Sequence, residues 1–481
     1  MINFRVIARV FSQVIIIEGL FMLLAAGISL LYGEHAAPLF LSAIITLVTG
    51  VLSFTPLRDE EKTTGSKEGY IILAGVWIIL SLFGTLPYML SGSVNSFTDA
   101  FFESMSGFTT TGATVFTNVE SHTHGVLFWR SSSQWIGGLG FILISLSVLP
   151  VVKSLNIQLT ITDFTGQAAE KINPRIVEVT KRLIAGFVIL TGIEALLLII
   201  GGMTPFDAIC HSFTTISTGG FSTRNTGIAA YSSPFIMIVL ILFMFIAGTN
   251  LTLIYYLVKR NFSKITGNNE FIFYVLTIAG FMILVSGVLW FQSDNPSSAT
   301  FLEGSFHVIS IITTTGFHFT DYSQWGSFLV TIMFMLMFTG GTSGSASSSL
   351  KIVRLLLTTR NARHEIKKLI HPNAIIPVRL DHKTIPDSHV YNILVFICLY
   401  FIMICSSSLI ISLMDYDVLT SVSTSASLLG NIGPGLGKFG PFMNYASVPD
   451  AGKWFFSLLM LIGRLELFSV LVLFSVSFYR R

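Results

Sequence analysis

Charged side chains are scarce in this sequence. Asp, Glu, Lys and Arg make up 11% of its 481 residues, whereas a soluble domain carries about 25%. That scarcity argues against a water-soluble globular domain, and a formal net charge of +3 is too small to indicate a nucleic-acid partner. Hydrophobic residues account for 52% of the chain. These proportions predict a polytopic membrane protein with lipid as its solvent.

Residue patterns that carry enzymatic chemistry are also missing. The three cysteines, Cys210, Cys398 and Cys405, form no CxxC pair, so neither a disulfide framework nor a zinc site is predicted. His364-Glu365 has no second histidine at the spacing of a zinc protease, and no nucleotide-binding glycine loop follows a strand. The apolar segments contain no paired catalytic groups. We therefore expect neither an enzyme nor an organic cofactor on this chain.

Four short segments with a glycine recur along the chain, each after a short apolar run. The glycines are Gly112, Gly220, Gly316 and Gly433. Glycine-rich backbone is tolerated at membrane depth where it is buried in protein or lines a water-filled cavity, because lipid cannot satisfy its N–H and C=O groups. Four carbonyl-rich loops around one axis can replace the hydration shell of a cation. The repeat therefore predicts a cation pathway.

The register of the repeat is set by a polar residue nine positions before the glycine. Glu103, His211 and His307 hold this position in the first three copies, and the fourth copy matches mainly through Gly433 and its flanking spans. Acidic residues also gather before the first three loops. For Asp99, Asp207 and Glu303 the favoured role is to cap the N-terminus of a short helix, and attraction of cations to the external mouth is the alternative. Glu103 is expected to brace its loop.

The apolar segments predict the fold. Ten are long enough to cross a bilayer, which takes about 20 residues, and four shorter runs between them are candidate re-entrant half-helices. The fold class predicted is an all-α polytopic membrane protein with about ten transmembrane helices. Four span–pore-helix–loop–span repeats surround one pore, and an extra helix pair precedes them. The spans are 8–32, 37–56, 70–91, 126–152, 183–202, 234–258, 271–292, 325–355, 390–413 and 453–479, and the half-helices are 97–110, 206–218, 301–314 and 417–430.

This organisation divides the chain into five parts. Residues 1–69 form the N-terminal helix pair and 70–157 the first pore repeat. The second repeat covers 158–264, the third 265–383 and the fourth 384–481. The third repeat contains a proposed gating loop at 339–350.

The candidate ion ligands are mostly backbone carbonyls of the four loops. Each half-helix would point its C-terminal end, with about half a negative charge, at the centre of the pore. Glycine permits the backbone angles that aim consecutive carbonyls inward. The predicted ligand residues are Thr110, Thr111, Gly112, Thr218, Gly219, Gly220, Thr314, Thr315, Gly316, Asn431, Ile432 and Gly433.

Two features inside the predicted spans suggest a gate. Arg464 lies near the middle of the last span, where a charge costs about 2.5–3.5 kcal/mol and marks a functional candidate. It is expected to face the pore below the loops, the alternative being a buried pair with Glu466 or Glu194. The eighth span is interrupted at 338–350 by three glycines and five serines, a composition that makes a poor helix. Close helix packing is the alternative there. The predicted gate residues are Arg464, Gly340, Gly341 and Gly344.

Basic residues predict the orientation, because they accumulate on the cytoplasmic side. With both termini inside, almost every Lys and Arg falls in a cytoplasmic segment. The same choice directs all four glycine loops to the external face. With Arg464 set aside as intramembrane, the external segments hold only Arg130, Arg224, Lys438 and Lys453.

Over nearly its whole length the sequence resembles the Trk/Ktr/HKT superfamily of potassium transporters, in its bacterial TrkH branch. The matching motifs are SGFTTTGAT, ISTGGFST, TTTGFH, LGNIGPG, TGGTSGS and GRLELF. The resemblance implies potassium uptake across the bacterial inner membrane through a gated, potassium-selective pore, with potassium as the transported ion. Some plant relatives that prefer sodium replace the first filter glycine with serine, so Gly112 fits the potassium type. The family gate pairs the loop 339–350 with Arg464.

The resemblance also implies partners. Family members form homodimers with one pore per subunit, embedded in lipid. They associate with a cytosolic nucleotide-binding regulatory subunit, which could dock on the basic loops 153–182 and 351–383. A transporter that couples potassium to protons or sodium is the alternative function. It needs a titratable residue on the ion path, for which Glu103 and Glu466 are the candidates.

Overall fold

The computed structural model describes residues 2–57, 65–152, 174–294, 297–372, 377–381 and 383–479. The first two helices, α1 (Phe4–Leu31) and α2 (Ala37–Phe54), pack along each other. Gly19 faces Leu47, and Gly50 faces Ile16, with too little room for a Cβ atom. Small residues at these points let the two backbones approach closely. This is the extra N-terminal pair that the sequence predicts.

Four repeats follow, and each contains a long helix, a short helix, an irregular loop and a second inner element. The first three repeats differ in how that inner element is built. The first repeat comprises α3 (Ser66–Phe83), α4 (Thr85–Leu90), α5 (Phe97–Phe108) and α6 (His124–Val152). The second comprises α7 (Pro174–Ile200), α8 (Pro205–Ile216), α9 (Pro234–Ala247), α10 (Leu251–Val258) and α11 (Phe262–Thr266).

The third and fourth repeats are joined by a two-stranded antiparallel hairpin, β1 (Arg379–Leu380) and β2 (Lys383–Thr384), with Arg379 opposite Thr384. The third repeat comprises α12 (Asn269–Gln292), α13 (Ser298–Ile312), α14 (Ser327–Leu336) and α15 (Ile352–Ile370). The fourth comprises α16 (Asp387–Ser412), α17 (Val418–Gly430), α18 (Asp450–Leu465), α19 (Leu467–Leu471) and α20 (Val476–Tyr479). The fold is the all-α membrane architecture expected from the sequence.

The four half-helices appear where the apolar runs predict them. They are α5, α8, α13 and α17, and each ends within two residues of its predicted boundary. In the described residues, six helices are long and apolar enough to cross a membrane, and two bent helix pairs would be spans if each pair is counted as one. The continuous helix α6 and the interrupted pair α14 and α15 occupy the remaining predicted spans.

Inner elements in three of the repeats are broken, and the sequence predicted only the break of the third repeat, at 338–350. Helices α9 and α10 meet at 109°, and α18 and the chain after it meet at 115°. At the first break, the carbonyl of Gly248 accepts from Thr342 N–H, and the Asn250 side chain caps α10. At the second, Glu466 has φ of +60° and pairs with Arg354. Tertiary hydrogen bonds therefore replace the helical ones at both bends.

Two apolar cores surround the glycine loops. One joins α1, α3, α5 and α6 with the fourth repeat, and the other joins the second and third repeats. The loops lie between them, so the packing of both cores fixes their position.

Candidate ion pathway

The four glycine loops share one backbone conformation. Thr110, Thr218, Thr314 and Asn431 all have φ between +51° and +58°, in the left-handed region. This region is unusual for any residue except glycine and is strained for a β-branched one. The glycine two residues later is also left-handed in every loop. Four loops in one strained conformation indicate a common function rather than four separate helix ends.

Hydrogen bonds explain how the half-helices reach this conformation. The N–H of the left-handed residue bonds the carbonyl three residues back, and the next N–H bonds the carbonyl five residues back, which is the Schellman ending of a helix. The second of these bonds is the same in all four loops. It joins Thr111 to Ser106 at 2.9 Å, Gly219 to Thr214 at 2.7 Å, Thr315 to Ser310 at 2.9 Å and Ile432 to Ser427 at 2.9 Å.

The glycines close the four loops into a ring. A Cβ atom on any one of them would lie less than 3.0 Å from a carbonyl oxygen of the next loop, a separation that real side chains essentially never show. The contacted oxygen always belongs to the residue just before the neighbouring glycine. Gly112 meets Gly219, Gly220 meets Thr315, Gly316 meets Ile432, and Gly433 meets Thr111. The loops therefore surround one axis in chain order, and only glycine fits at these positions.

At the deep end of the ring, where the half-helices stop, the four left-handed residues differ in their side-chain contacts. The hydroxyls of Thr110 and Thr218 are buried without a hydrogen-bond partner among the described residues. Thr314 Oγ1 accepts from the backbone N–H of Ser348 at 3.0 Å. Asn431 Nδ2 donates to Thr111 Oγ1 and to the carbonyl of Met460, both at 2.9 Å.

Two of the predicted carbonyl ligands already accept a protein hydrogen bond. Gln134 Nε2 donates to Gly219 O at 2.6 Å, and the Tyr445 hydroxyl donates to Gly433 O at 2.9 Å. A carbonyl oxygen has two lone pairs, so each retains one acceptor site.

Residues 337–351, which we call the intramembrane segment, interrupt the third repeat beneath the ring. The segment is compact, and nearly all of its residues are buried. Internal bonds join Gly341 N–H to Ser347 Oγ at 3.0 Å and the hydroxyls of Ser345 and Ser347 at 2.7 Å. The ammonium of Lys351 donates back to Ser347 O at 2.7 Å. An irregular backbone at membrane depth is thereby satisfied from within the protein.

The segment is also tied to the second repeat, through Asn250 and Gly248, and to α12 of the third repeat, through Glu270. Asn250 Nδ2 donates to Ser343 O at 2.7 Å, and Glu270 Oε1 accepts from Ser343 N–H at 2.6 Å. Gly341 lies so close to Gly248 O that a Cβ atom would not fit, and Gly340 lies equally close to Ser348 O and Leu350 O. Gly344 has φ of +83°. Each of the three glycines therefore meets a backbone requirement of the segment.

Arg464 contacts this segment rather than an acid. Its Nη1 donates to Ala346 O at 2.8 Å and to Ser348 Oγ at 3.1 Å, and its Nη2 donates to Gly137 O at 3.4 Å. The guanidinium also lies over the ring of Phe141. Among the described residues no acid pairs with it, and Glu466 instead pairs with Arg354. The alternative of an Arg464–Glu466 pair is wrong, because the bend after Leu465 carries Glu466 toward α15.

Known proteins resemble this chain over nearly its whole length. The family model of TrkH cation transport proteins matches residues 36–479. This chain belongs to the TrkH family. It is 35% identical to the Trk system potassium uptake protein TrkH of Salmonella typhimurium, over 99% of this chain and 100% of that protein. It is 34% identical to the protein of the same name from Halomonas elongata, over the full length of both.

A solved structure of a TrkH protein also matches this chain. The crystal structure of the potassium transporter TrkH from Vibrio parahaemolyticus covers 100% of this chain and of its own, with a TM-score of 0.91 and 31% identity. The TrkH family consists of transporters, which agrees with the expectation that this chain is not an enzyme.

In this TrkH-family chain, α6 contributes two side chains to the ring that sequence reasoning missed. Arg130 Nε bonds Glu103 Oε1 at 2.6 Å, and its Nη1 donates to Ser222 O at 2.9 Å. One turn later, Gln134 binds Gly219 O and accepts from Phe221 N–H. The charge pattern predicts an external position for Arg130, yet its side chain is buried, at 3% exposed. The signal available was the polar run Arg130 to Gln134 inside an apolar span.

In the first three copies, the residue nine positions before the glycine braces the chain that leaves the ring. Glu103 accepts from Val115 N–H at 2.8 Å, as expected for a loop brace. His211 Nε2 lies 3.0 Å from Ser222 Oγ, and His307 Nε2 accepts from Phe319 N–H at 3.3 Å. In the fourth TrkH repeat the role passes to Ser423, whose hydroxyl accepts from Leu436 N–H at 3.0 Å. A side chain of the half-helix therefore braces the chain after the ring in all four copies, although its type changes and its position shifts by one residue in the fourth.

The acids before the loops have structural partners. Asp207 pairs with Arg224 at 2.8 Å, Asp99 pairs with Lys453, and Glu303 accepts from the Thr320 hydroxyl at 2.6 Å. Helix capping, the predicted structural role, is instead carried out by Thr204 on α8 and by Asp417 on α17. Because the acids are engaged, the alternative that they attract cations at the mouth receives no support from the geometry.

Proposed function

We propose that this protein takes up potassium through a gated, potassium-selective pore at the centre of the glycine ring. The observation that carries the proposal is the closed cycle of contacts from each glycine to the carbonyl of the next loop. A cycle of this kind places four equivalent backbone segments around one axis. The names of the relatives, which are potassium uptake proteins, support potassium as the ion.

The ion would be held mostly by backbone carbonyls of the predicted ligand residues. Four half-helix C-termini converge on the ring, and their partial negative charges favour a cation without a fixed anion. Close contact between neighbouring loops resists changes in the size of the ring. Movement of potassium inward would follow the membrane potential, at about 2.3 kcal/mol per charge per 100 mV.

The gate would be the intramembrane segment together with Arg464. Gly340, Gly341 and Gly344 shape the segment, and Arg464 donates to it from the fourth repeat. In this arrangement a buried positive charge lies beneath the ring, where it would hinder a passing cation. Opening would require the segment and Arg464 to separate.

Regulation would come from the cytoplasmic side of the bacterial inner membrane, where we place both termini. Helix α15 carries Arg360, Arg363, Lys367 and Lys368 on its exposed second half. This surface would receive a cytosolic nucleotide-binding subunit of the Trk system. The other basic loop proposed for docking, 153–182, lies largely outside the described residues. A homodimer in lipid, with one pore in each subunit, completes the proposed assembly.

Coupling to protons or sodium is less favoured. Both carboxylates named for that role are engaged, Glu103 by Arg130 and the loop backbone, and Glu466 by Arg354. Either would have to break a charged hydrogen bond in order to bind a proton. Reversal potentials that shift with pH or sodium would restore the coupled mechanism.

The proposal is tested by potassium and rubidium flux into liposomes, with sodium as competitor, for wild type and Gly112→Ser. The serine Cβ would collide with Gly219 O, so we expect discrimination against sodium to be lost. Gly92→Ser is the matched control, because Gly92 also has positive φ but has nothing within 4 Å of its Cβ position. Selective flux that survives Gly112→Ser would place the ion path elsewhere.

A further inference from the structure

The deep end of the ring is not equivalent in its four quarters. Thr110, Thr218 and Thr314 are the same residue in the same backbone conformation. Two of their hydroxyls have no hydrogen-bond partner among the described residues, whereas Thr314 Oγ1 accepts from Ser348 N–H. The intramembrane segment therefore donates a hydrogen bond to this hydroxyl in the third quarter and not in the first or second.

The donor to Thr314 belongs to a positively charged unit. Ser348 Oγ accepts from Arg464, and the preceding carbonyl, Ser347 O, accepts from Lys351. Arg464 and Lys351 are 1% and 7% exposed, so water screens their charges poorly. The N–H of Ser348 extends this positive end of the segment to the deep end of the ring. A cation bound there would face a donor instead of an acceptor.

We propose that Thr314 is the positioning residue through which the intramembrane segment and the permeating potassium ion compete. This inference rests on the proposed function and deepens it. With the segment closed, Ser348 N–H holds Thr314 Oγ1, and the deep end of the ring binds potassium weakly. With potassium at that end, the oxygen faces the ion and the segment loses its bond to the ring.

Thermodynamic linkage fixes the sign of the effect. The oxygen of Thr314 has a second lone pair, so the competition comes from charge: a cation and an N–H donor backed by buried Arg464 and Lys351 repel each other. Two such occupants reduce each other's affinity by the same factor. Potassium should therefore favour the open segment, and the closed segment should lower potassium occupancy at the deep end. The coupling lies in the third repeat alone, because Thr110 and Thr218 receive no donor from the segment.

The experiment compares three isosteric substitutions, Thr110→Val, Thr218→Val and Thr314→Val. Each removes one hydroxyl from an equivalent position of the ring, so the loss of an ion ligand is common to all. Open probability is recorded in planar bilayers over a graded potassium series at constant ionic strength. Wild type, Thr110→Val and Thr218→Val should open more as potassium rises. Thr314→Val should open about tenfold more often at low potassium and lose this dependence, because Ser348 N–H is left unpaired.

Thr314→Ser, which keeps the acceptor, should restore the potassium dependence. If Thr314→Val does not fold, Thr314→Ala and Thr110→Ala form the same matched pair. Potassium-dependent opening that persists in the Thr314 variants, or is lost equally in the Thr110 variants, would overturn the inference. Absence of potassium current in every protein, including Arg464→Ala, would instead overturn the proposed pore.

Discussion

The first and third loops of the ring have the same sequence, Thr-Thr-Thr-Gly, and nearly the same internal geometry. The first and third hydroxyls of each triplet lie 2.7 Å apart at Thr109 and Thr111, and 2.8 Å apart at Thr313 and Thr315. What differs is the inner element beneath them. Under the first loop, α6 continues unbroken to Val152, whereas under the third, α14 ends at Leu336 and the intramembrane segment begins.

In the proposed pore, this difference would distinguish a loop that is held in place from a loop that meets the gate. Helix α6 meets the half-helix before the first loop through Gly137, which abuts Phe108 O, and through Arg130, which bonds Glu103. It meets the second loop through Gln134, which bonds Gly219 O. The third loop instead rests on an irregular segment, whose Ser348 N–H donates to the hydroxyl of Thr314. The first loop is therefore held by the continuous helix α6, and we call this part of the ring the fixed side. The third loop contacts the intramembrane segment, which need not stay in place, and we call this part the movable side.

The largest effect on ion flux is expected from a substitution in the ring itself, because the fixed and the movable side both meet there. Gly316→Ala places a Cβ against Ile432 O at a residue with φ of +76°. We expect selective potassium flux to be lost, because neither the neighbouring loop nor the left-handed backbone can accommodate the methyl group. Liposome flux measures the result. Gly326→Ala, with φ of +86° and open space around it, should retain flux. Equal losses in both variants would mean that backbone strain, and not the contact between loops, limits the ring.

The contribution of the fixed side to stability is tested by breaking the buried ion pair between Arg130 and Glu103. Arg130 and Glu103 are 3% and 0% exposed, and Arg130→Gln leaves the carboxylate without its charged partner. Breaking such a pair costs about 3–5 kcal/mol, so the free energy of unfolding in detergent should fall by that amount. The exposed pair Arg182–Glu178 is the control, and Arg182→Gln should cost no more than about 0.5 kcal/mol. A small loss for Arg130→Gln would show that Gln134 alone suffices to hold the loops.

Local sequence predicted the loops well, since the half-helices end where glycine and threonine interrupt an apolar run. The four glycines, the break at 338–350 and Arg464 as a charge within a span could all be found from composition and spacing. The partners of these residues could not. Ser222 is far from Arg130 in sequence and Ala346 is far from Arg464, and no periodicity encodes which carbonyl a guanidinium meets after folding.

The bends at Gly248 and Glu466 were missed for a related reason. Each bent pair still has the mean hydropathy of a single span, because the helices before and after the break are apolar whether or not the chain turns between them. Only the tertiary hydrogen bond to Gly248 O and the pair between Glu466 and Arg354 explain why the helix ends there. The identification of Arg464 as a pore-facing charge remains a prediction.

The movable side is tested by Arg464→Ala, which removes three hydrogen bonds and a positive charge from beneath the ring. We expect potassium flux without a partner protein to rise about tenfold, the scale of a typical coupling energy. Liposomes measure the rise, and Lys259→Ala, at an exposed position, should leave flux unchanged. Unchanged flux in Arg464→Ala would remove this residue from the barrier and leave the segment to close the pore alone.

The smallest predicted effect is a change in stability from the contacts at the N-terminus of α6. Glu34, in the turn between α1 and α2, accepts from His124 N–H at 2.8 Å and Gly125 N–H at 3.3 Å, and lies 2.7 Å from His124 Nδ1. Burial opposes ionisation, but the bonds from His124 and Gly125 outweigh it and lower the pKa of Glu34 below 4.5. Because the folded pKa is the lower one, the stabilisation is complete above the unfolded value and is lost as pH falls through the folded one. Glu34→Gln should therefore cost about 0.3–1 kcal/mol at neutral pH, the usual value for a carboxylate at a helix N-terminus.

That cost should shrink in acid, since protonation makes wild type resemble the variant. Thermal unfolding of both proteins from neutral pH to below the ordinary glutamate pKa measures the difference. Asp294→Asn, at an exposed carboxylate, controls for the general effect of removing a charge. A difference that stays constant below pH 4.5 would mean that Glu34 acts through its shape and packing. The fixed side of the ring would then depend on α6 and its buried contacts, without electrostatic support from the N-terminal helix pair.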